Sequence, residues 1–164
     1  LADSRCDRTG IPSRLDAALI NFSIDDMSYV ATLNGVTRKR FECSSTRFVF
    51  MFDNLVLKID SVGPSSYGRQ CEAEAIFYSH LKPCDKMHFA KIVQSGYYKD
   101  RAYTIQERIF GVQAFGHHEE MDILEKRFGL YDLDYRNVIK TSDGKLVIVD
   151  YGLSTIWEEV SQSY

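Results

Sequence analysis

The segment Leu130-Tyr-Asp-Leu-Asp-Tyr-Arg-Asn137, with the Asp-Gly hairpin after it, constrains this chain more than any other feature. Val138-Ile139-Lys140 and Leu146-Val147-Ile148-Val149 read as two strands, and Asp143-Gly144 between them is a strong hairpin signal. A hairpin returns the chain to where it began, so Asp150 of Asp150-Tyr151-Gly152 is expected beside Asn137. Asp132, Asn137 and Asp150 then converge as two oxygen ligands and a candidate base. A hard cation such as Mg²⁺ on a phosphate takes such a set.

The 164 residues allow one domain, or a domain of two small lobes. A hydrophobic share of 45% with 13% aromatics suffices for a packed core. A net charge of −3 offers no global attraction for nucleic acid or an anionic membrane. No apolar run approaches the roughly 20 residues of a membrane span. The amino terminus carries neither Met nor a signal-peptide pattern, which predicts a processed or trimmed product. Cys6, Cys43, Cys71 and Cys84 lie far apart without a C-x-x-C, so reduced thiols and a cytoplasmic setting are expected. His80, Cys84 and His88 are spaced by four, but Pro83 breaks any helix that would align them, and zinc is not expected.

Local patterns predict a helix over residues 11–27, with Leu15, Ala18, Leu19 and Phe22 at helical spacing after Ser13 as cap. Tyr29–Leu33, Arg47–Phe52 and Leu55–Ile59 read as strands, the last two joined by Asp53-Asn54. A helix is expected from Arg69 to Leu81, ended by Lys82-Pro83. Phe89–Val93 and Ala102–Glu107 read as strands, and Glu119–Phe128 as a helix. The basic run Arg38-Lys39-Arg40 beside Phe41 reads as a solvated turn rather than a nucleic-acid contact.

Along Leu55–Asp60, residues 55, 57 and 59 share one face, and Val56, Lys58 and Asp60 the other. That second face is polar and should line solvent or a cleft. On the helix, Glu74 shares a stripe with Phe77, Tyr78 and Leu81, whereas Glu72 lies off it. A carboxylate on an inward stripe is costly unless paired, and Lys58 is the candidate partner.

Asp132-Leu133 with Asn137 resembles the D-L-x-x-x-N catalytic loop of the protein-kinase-like superfamily, and Asp150-Tyr151-Gly152 resembles its D-F-G with Tyr for Phe. Lys58 in Val56-Leu57-Lys58-Ile59 is similar to the strand lysine of V-A-I-K, and Glu74 to its helical partner. The resemblance covers residues 40–155. It implies an α+β, protein-kinase-like fold: a small antiparallel-sheet N-lobe with one main helix, and a reduced C-lobe bearing the catalytic-loop hairpin. The implied division is an N-terminal helical extension over residues 1–27, an N-lobe over 28–109 and a C-lobe over 110–164.

The resemblance further implies an ATP- and Mg²⁺-dependent phosphotransferase acting on a protein or small-molecule hydroxyl. Asp132 would be the base, Lys58 would hold the phosphates and Glu74 would orient it. Ser44, Ser45 and Thr46 would contact nucleotide, Glu107 and Ile109 would meet the adenine edge, and Asn137 and Asp150 would hold the metal. Two departures stand out. The loop Glu42-Cys43-Ser44-Ser45-Thr46-Arg47 has no glycine where the family's phosphate loop is glycine-rich, although Arg47 could add a positive charge there. Only residues 153–164 follow Gly152, so substrate-binding helices are not expected. Lobes this short resemble compact kinase-like proteins of bacteriophages and bacteria. The alternative implied is a catalytically weak or inactive kinase-like module that binds and modulates a partner protein, such as a host factor of a phage.

Overall fold

A computed structural model describes residues 19–41, 47–61, 69–131 and 133–152. The chain opens with an antiparallel meander of β1 (Phe22–Asp25), β2 (Val30–Leu33) and β3 (Val36–Lys39). A four-stranded antiparallel sheet follows in the order β4 (Arg47–Met51), β5 (Leu55–Asp60), β7 (Arg101–Glu107) and β6 (Ile92–Tyr98). Helix α1 (Gln70–His80) connects β5 to β6 and lies against β5, β6 and β7. The remainder is β8 (Val112–Gln113), α2 (His118–Phe128) and the hairpin β9 (Val138–Lys140)–β10 (Leu146–Ile148), with β8 added beside β9.

The two faces of the four-stranded sheet have different fates. Phe50, Phe52, Leu57, Ile59, Tyr103 and Ile105 point one way and bury themselves under Ile24, Ala31 and Leu33 of the meander. Each such aliphatic or aromatic side chain contributes on the order of 1.5–3 kcal/mol on leaving water. The opposite face carries Lys58, Asp60, Thr104 and Gln106, all buried. The alternation expected along β5 is therefore met, and its polar face is buried against α1 and the end of the hairpin. A second core forms around Phe89, Met121, Leu124, Leu130, Leu133, Val138, Ile148 and Tyr151, with Phe77, Tyr78 and Leu81 of α1 packed against it.

The start of the chain departs from expectation. Residues 11–18 of the helix expected over residues 11–27 lie outside the described residues, and the later part is strand and turn: Phe22 and Ile24 alternate with Ser23 and Asp25, a period of two, and β1 pairs Phe22 with Leu33. Arg38 and Lys39 belong to β3 rather than to a turn. The turn sits earlier, at Asn34-Gly35, where φ is +48° and +81°. Among the described residues, five strands thus precede α1 instead of three. The strand expected over Phe89–Val93 begins only at Ile92 and runs to Tyr98, because Phe89 and Ala90 pair with Ile148 instead of with β7.

The Asp143-Gly144 hairpin forms as read. Gly144 takes φ +84°, which a glycine adopts freely, and its N–H donates to the Thr141 carbonyl at 2.9 Å. At the open end of the hairpin, the Val149 N–H donates to the Asn137 carbonyl at 2.8 Å. Asp150 is thereby returned beside Asn137.

Candidate functional site

Glu74 organises the site. It is fully buried on α1, and its Oε1 accepts from Lys58 Nζ at 3.0 Å. Its Oε2 accepts from the backbone N–H groups of Tyr151 (3.3 Å) and Gly152 (3.1 Å), and from Arg47 Nη1 at 3.4 Å. One carboxylate therefore ties the sheet, the helix and the Asp-Tyr-Gly turn together. Glu72 lies off this stripe and accepts from the Tyr97 hydroxyl at 3.1 Å.

Lys58 completes the link from the sheet side, donating also to the Val149 carbonyl at 2.6 Å. Gln106 Nε2 donates to the same carbonyl at 2.9 Å. The chain immediately before Asp150 is thus held by two side chains of the cleft face. Gly152 is fixed by space: a Cβ there would come within 2.6 Å of the Gln70 carbonyl oxygen. Tyr151 fills the Phe position of the motif and stacks edge-on to Phe89 with ring centroids 5.0 Å apart.

Arg47 is the residue that sequence reasoning placed wrongly. It was expected at the edge of a phosphate loop. Instead it is 1% exposed, and its Nη2 donates to Asp150 Oδ1 in an ion pair. The register explains this. The two-residue turn Asp53-Asn54 sets Arg47 opposite Asp60 and Val49 opposite Lys58, so Arg47 shares the face of Lys58. Counting outward from that turn would have found it.

The charges follow from this packing. Burial opposes the Arg47 charge, but Asp150 and Glu74 outweigh it and keep the guanidinium protonated. Burial likewise pushes Asp150 up, yet Arg47 and then Lys58 overcome it and hold the carboxyl at about 2. Asp60 is raised by burial, although its Oδ1 accepts the Cys71 N–H at 3.0 Å near the start of α1. The Cys71 thiol, buried beside them, is also pushed well up.

The remaining predicted positions divide. Glu107 lies at the end of β7, and its N–H donates to the Lys91 carbonyl at 2.8 Å. Ile109 follows in the connector that Arg108 pins by donating to the Phe52 carbonyl at 2.9 Å. Asn137 closes a short 3₁₀ turn, Tyr135–Asn137, that Asp134 caps by accepting the Arg136 N–H. Ser44, Ser45, Thr46 and Asp132 lie outside the described residues.

Asn137 and Asp150 offer the oxygen donors that Mg²⁺ takes, so their fit to a divalent cation can be asked directly. In this arrangement they do not fit one. Asp150 already holds a buried guanidinium with Lys58 close by, and a second cation on that carboxylate would meet like charge at ion-pair range. Such repulsion amounts to several kcal/mol near a protein surface and more inside.

No protein-family model matches the sequence, and no curated protein matches it. Among solved structures, the fold matches the kinase WbdD, crystallised with a kinase inhibitor, with a TM-score of 0.51 at 13% identity. That match covers 82% of this chain and 38% of the WbdD chain. The kinase domain of PknI from Mycobacterium tuberculosis is matched at 19% identity over 76% of this chain and 62% of that domain, with a TM-score of 0.46. This chain therefore spans less than two thirds of either. An antiparallel sheet carrying Lys58, a helix carrying Glu74 and a hairpin ending in Asp-Tyr-Gly make up a protein-kinase-like α+β fold.

Proposed function

We propose that this chain is a kinase-type phosphotransferase module that takes its phosphate from ATP and passes it to a hydroxyl on a protein or small molecule. The buried Lys58–Glu74 pair at 3.0 Å carries this reading. A buried ion pair is seldom worth its desolvation for stability alone. This one sets a lysine beside the hairpin end, where it also donates to the Val149 carbonyl. Two further oxygens of the cleft face, Thr104 Oγ1 and Gln106 Oε1, are buried without a protein partner among the described residues, which also supports a ligand there.

In this reading Lys58, oriented by Glu74, holds the α- and β-phosphates, and the Glu107 carbonyl and the Ile109 backbone receive the adenine edge. Asp132 accepts the proton of the attacking hydroxyl. Catalysis rests on positioning and on positive charge supplied by the chain itself. The test is nucleotide binding by thermal shift together with transfer from radiolabelled ATP. Nucleotide binding that Lys58→Met weakens, and transfer that Lys58→Met and Asp132→Asn both reduce more than tenfold, are expected. Transfer that survives Asp132→Asn would refute the assignment.

A second reading, a kinase-like module that binds a partner protein without transferring phosphate, is favoured by the Arg47 ion pair on Asp150. Exposed Phe110, Val112 and Phe115 next to β8 suit a protein partner. A nucleotide-induced shift in melting temperature without any transfer selects this reading.

A further inference from the structure

We propose that Arg47 is the resident cation of Asp150, and that the free protein excludes divalent metal from this carboxylate until the guanidinium withdraws. The inference goes beyond the transfer reading and stands whether or not the cleft transfers phosphate.

Three observations carry it. The guanidinium is held from both ends, by Asp150 on Nη2 and by Glu74 on Nη1, so it is a fixed part of the cleft and not a passing surface contact. Its position is dictated by backbone register: the two-residue turn at Asp53-Asn54 delivers Arg47 to the Lys58 face opposite Asp60. The charges are also already matched. Arg47 and Lys58 stand against Glu74 and Asp150, with Asp60 adjoining. A divalent ion added to this set would leave an excess of positive charge beside the buried guanidinium, on a carboxylate that is only partly exposed. An arginine is the residue best suited to such a post, since it stays charged when buried and binds carboxylates through several donors.

The groups facing Arg47 from each packed element are Lys58 and Asp60 on β5, Cys71 and Glu74 on α1, and Asp150 after β10. Asp60 Oδ2 is buried without a hydrogen-bond partner among the described residues, but the Arg47 guanidinium that adjoins it would oppose a metal there as well. Removing the guanidinium, however, would leave Asp150 with an open oxygen near Asn137. A metal site is latent in the chain, and one side chain keeps it shut.

Mn²⁺ titration followed by electron paramagnetic resonance tests this without nucleotide or turnover. Wild type and Asp150→Asn are expected to give the same spectra up to millimolar Mn²⁺, with no specific bound population. Arg47→Gln is expected to bind Mn²⁺ at least tenfold more tightly than wild type, and Arg47→Gln with Asp150→Asn to lose that gain. A bound population in wild type that Asp150→Asn abolishes would overturn the proposal, as would a folded Arg47→Gln protein that gains nothing. If Arg47→Gln does not fold, the comparison of wild type with Asp150→Asn still decides. Absence of phosphate transfer would refute the phosphotransferase reading and leave this one intact.

Discussion

On the sheet side of the candidate site Arg47, Lys58 and Glu74 are buried and share their charges, whereas on the loop side Asp134 and Arg136 pair with each other in solvent. Glu74 receives Lys58, Arg47 and two backbone N–H groups at less than 1% exposure. Arg136 reaches Asp134 with two parallel contacts, Nε to Oδ1 at 2.9 Å and Nη2 to Oδ2 at 2.8 Å, yet its side chain is 67% exposed. The geometry of the second pair is the better of the two. The first should nevertheless matter far more to stability, because a buried charge that loses its partner cannot turn to water.

The largest effect is therefore expected from Glu74→Ala. It would leave Lys58 and Arg47 buried without their shared carboxylate and remove the acceptor that the N–H groups of Tyr151 and Gly152 share. A loss of about 3–5 kcal/mol in urea denaturation is expected, since breaking one partner of a buried pair costs that much. A loss below about 1 kcal/mol would break the contrast, for it would mean that water reaches this side too.

Gly152→Ala probes the same side through space instead of charge. The added methyl would stand 2.6 Å from the Gln70 carbonyl oxygen, a backbone atom that cannot swing away. Overpacking of this kind typically costs about 1–3 kcal/mol. The shift should be read in melting temperature. A neutral outcome would place slack between α1 and the Asp-Tyr-Gly turn.

Much of this arrangement was legible before any coordinates. The alternation of Leu55–Asp60 fixed which face Lys58 took, and the stripe through Phe77, Tyr78 and Leu81 fixed the inward side of α1. A lysine and a glutamate on two inward faces have few other ways to be satisfied, so their pairing could be read locally. Arg47 could not be read so directly, because an arginine at the mouth of a loop looks like a surface cation until the register is counted. β3 was missed although Asn34-Gly35 is the strongest short hairpin signal. By composition alone the basic run Arg38-Lys39-Arg40 looks like a solvated turn. Arg38 in fact meets Asp53 at 3.4 Å, and Arg40 lies over the Tyr29 ring at 4.5 Å. What stayed illegible was tertiary: which end of a strand meets which turn depends on how sheet and hairpin dock.

Acid should separate the two sides by a smaller margin. Asp150 is held at about 2 in the folded chain, against an ordinary value near 3.9, so its contribution is fully present above pH ~4. That contribution is lost as the pH falls from about 4 towards 2. Asp60 runs the other way: its folded value is raised, so its ionisation costs stability as the pH rises through that raised value. Thermal melts from pH 5 down to 2.5 should therefore show a decline that is shallower in Asp150→Asn. An Asp150→Asn profile parallel to wild type would remove Asp150 as the source.

The smallest effect on stability is expected from Arg136→Ala on the loop side. Asp134 is held below its ordinary value by hydrogen bonds from the Arg136 side chain and N–H, but the backbone bond at 2.8 Å remains after truncation and still caps the turn. Solvent takes up the charge that is released, so the melting temperature should stay where it is. The phosphotransferase reading adds a second expectation, since Arg136 adjoins Asn137 and stands in the catalytic loop with no buried duty. Transfer from ATP should fall while nucleotide binding, measured by thermal shift, holds. A large drop in melting temperature would instead make Arg136 a structural member of the hairpin, and the two sides of the site would then be built alike.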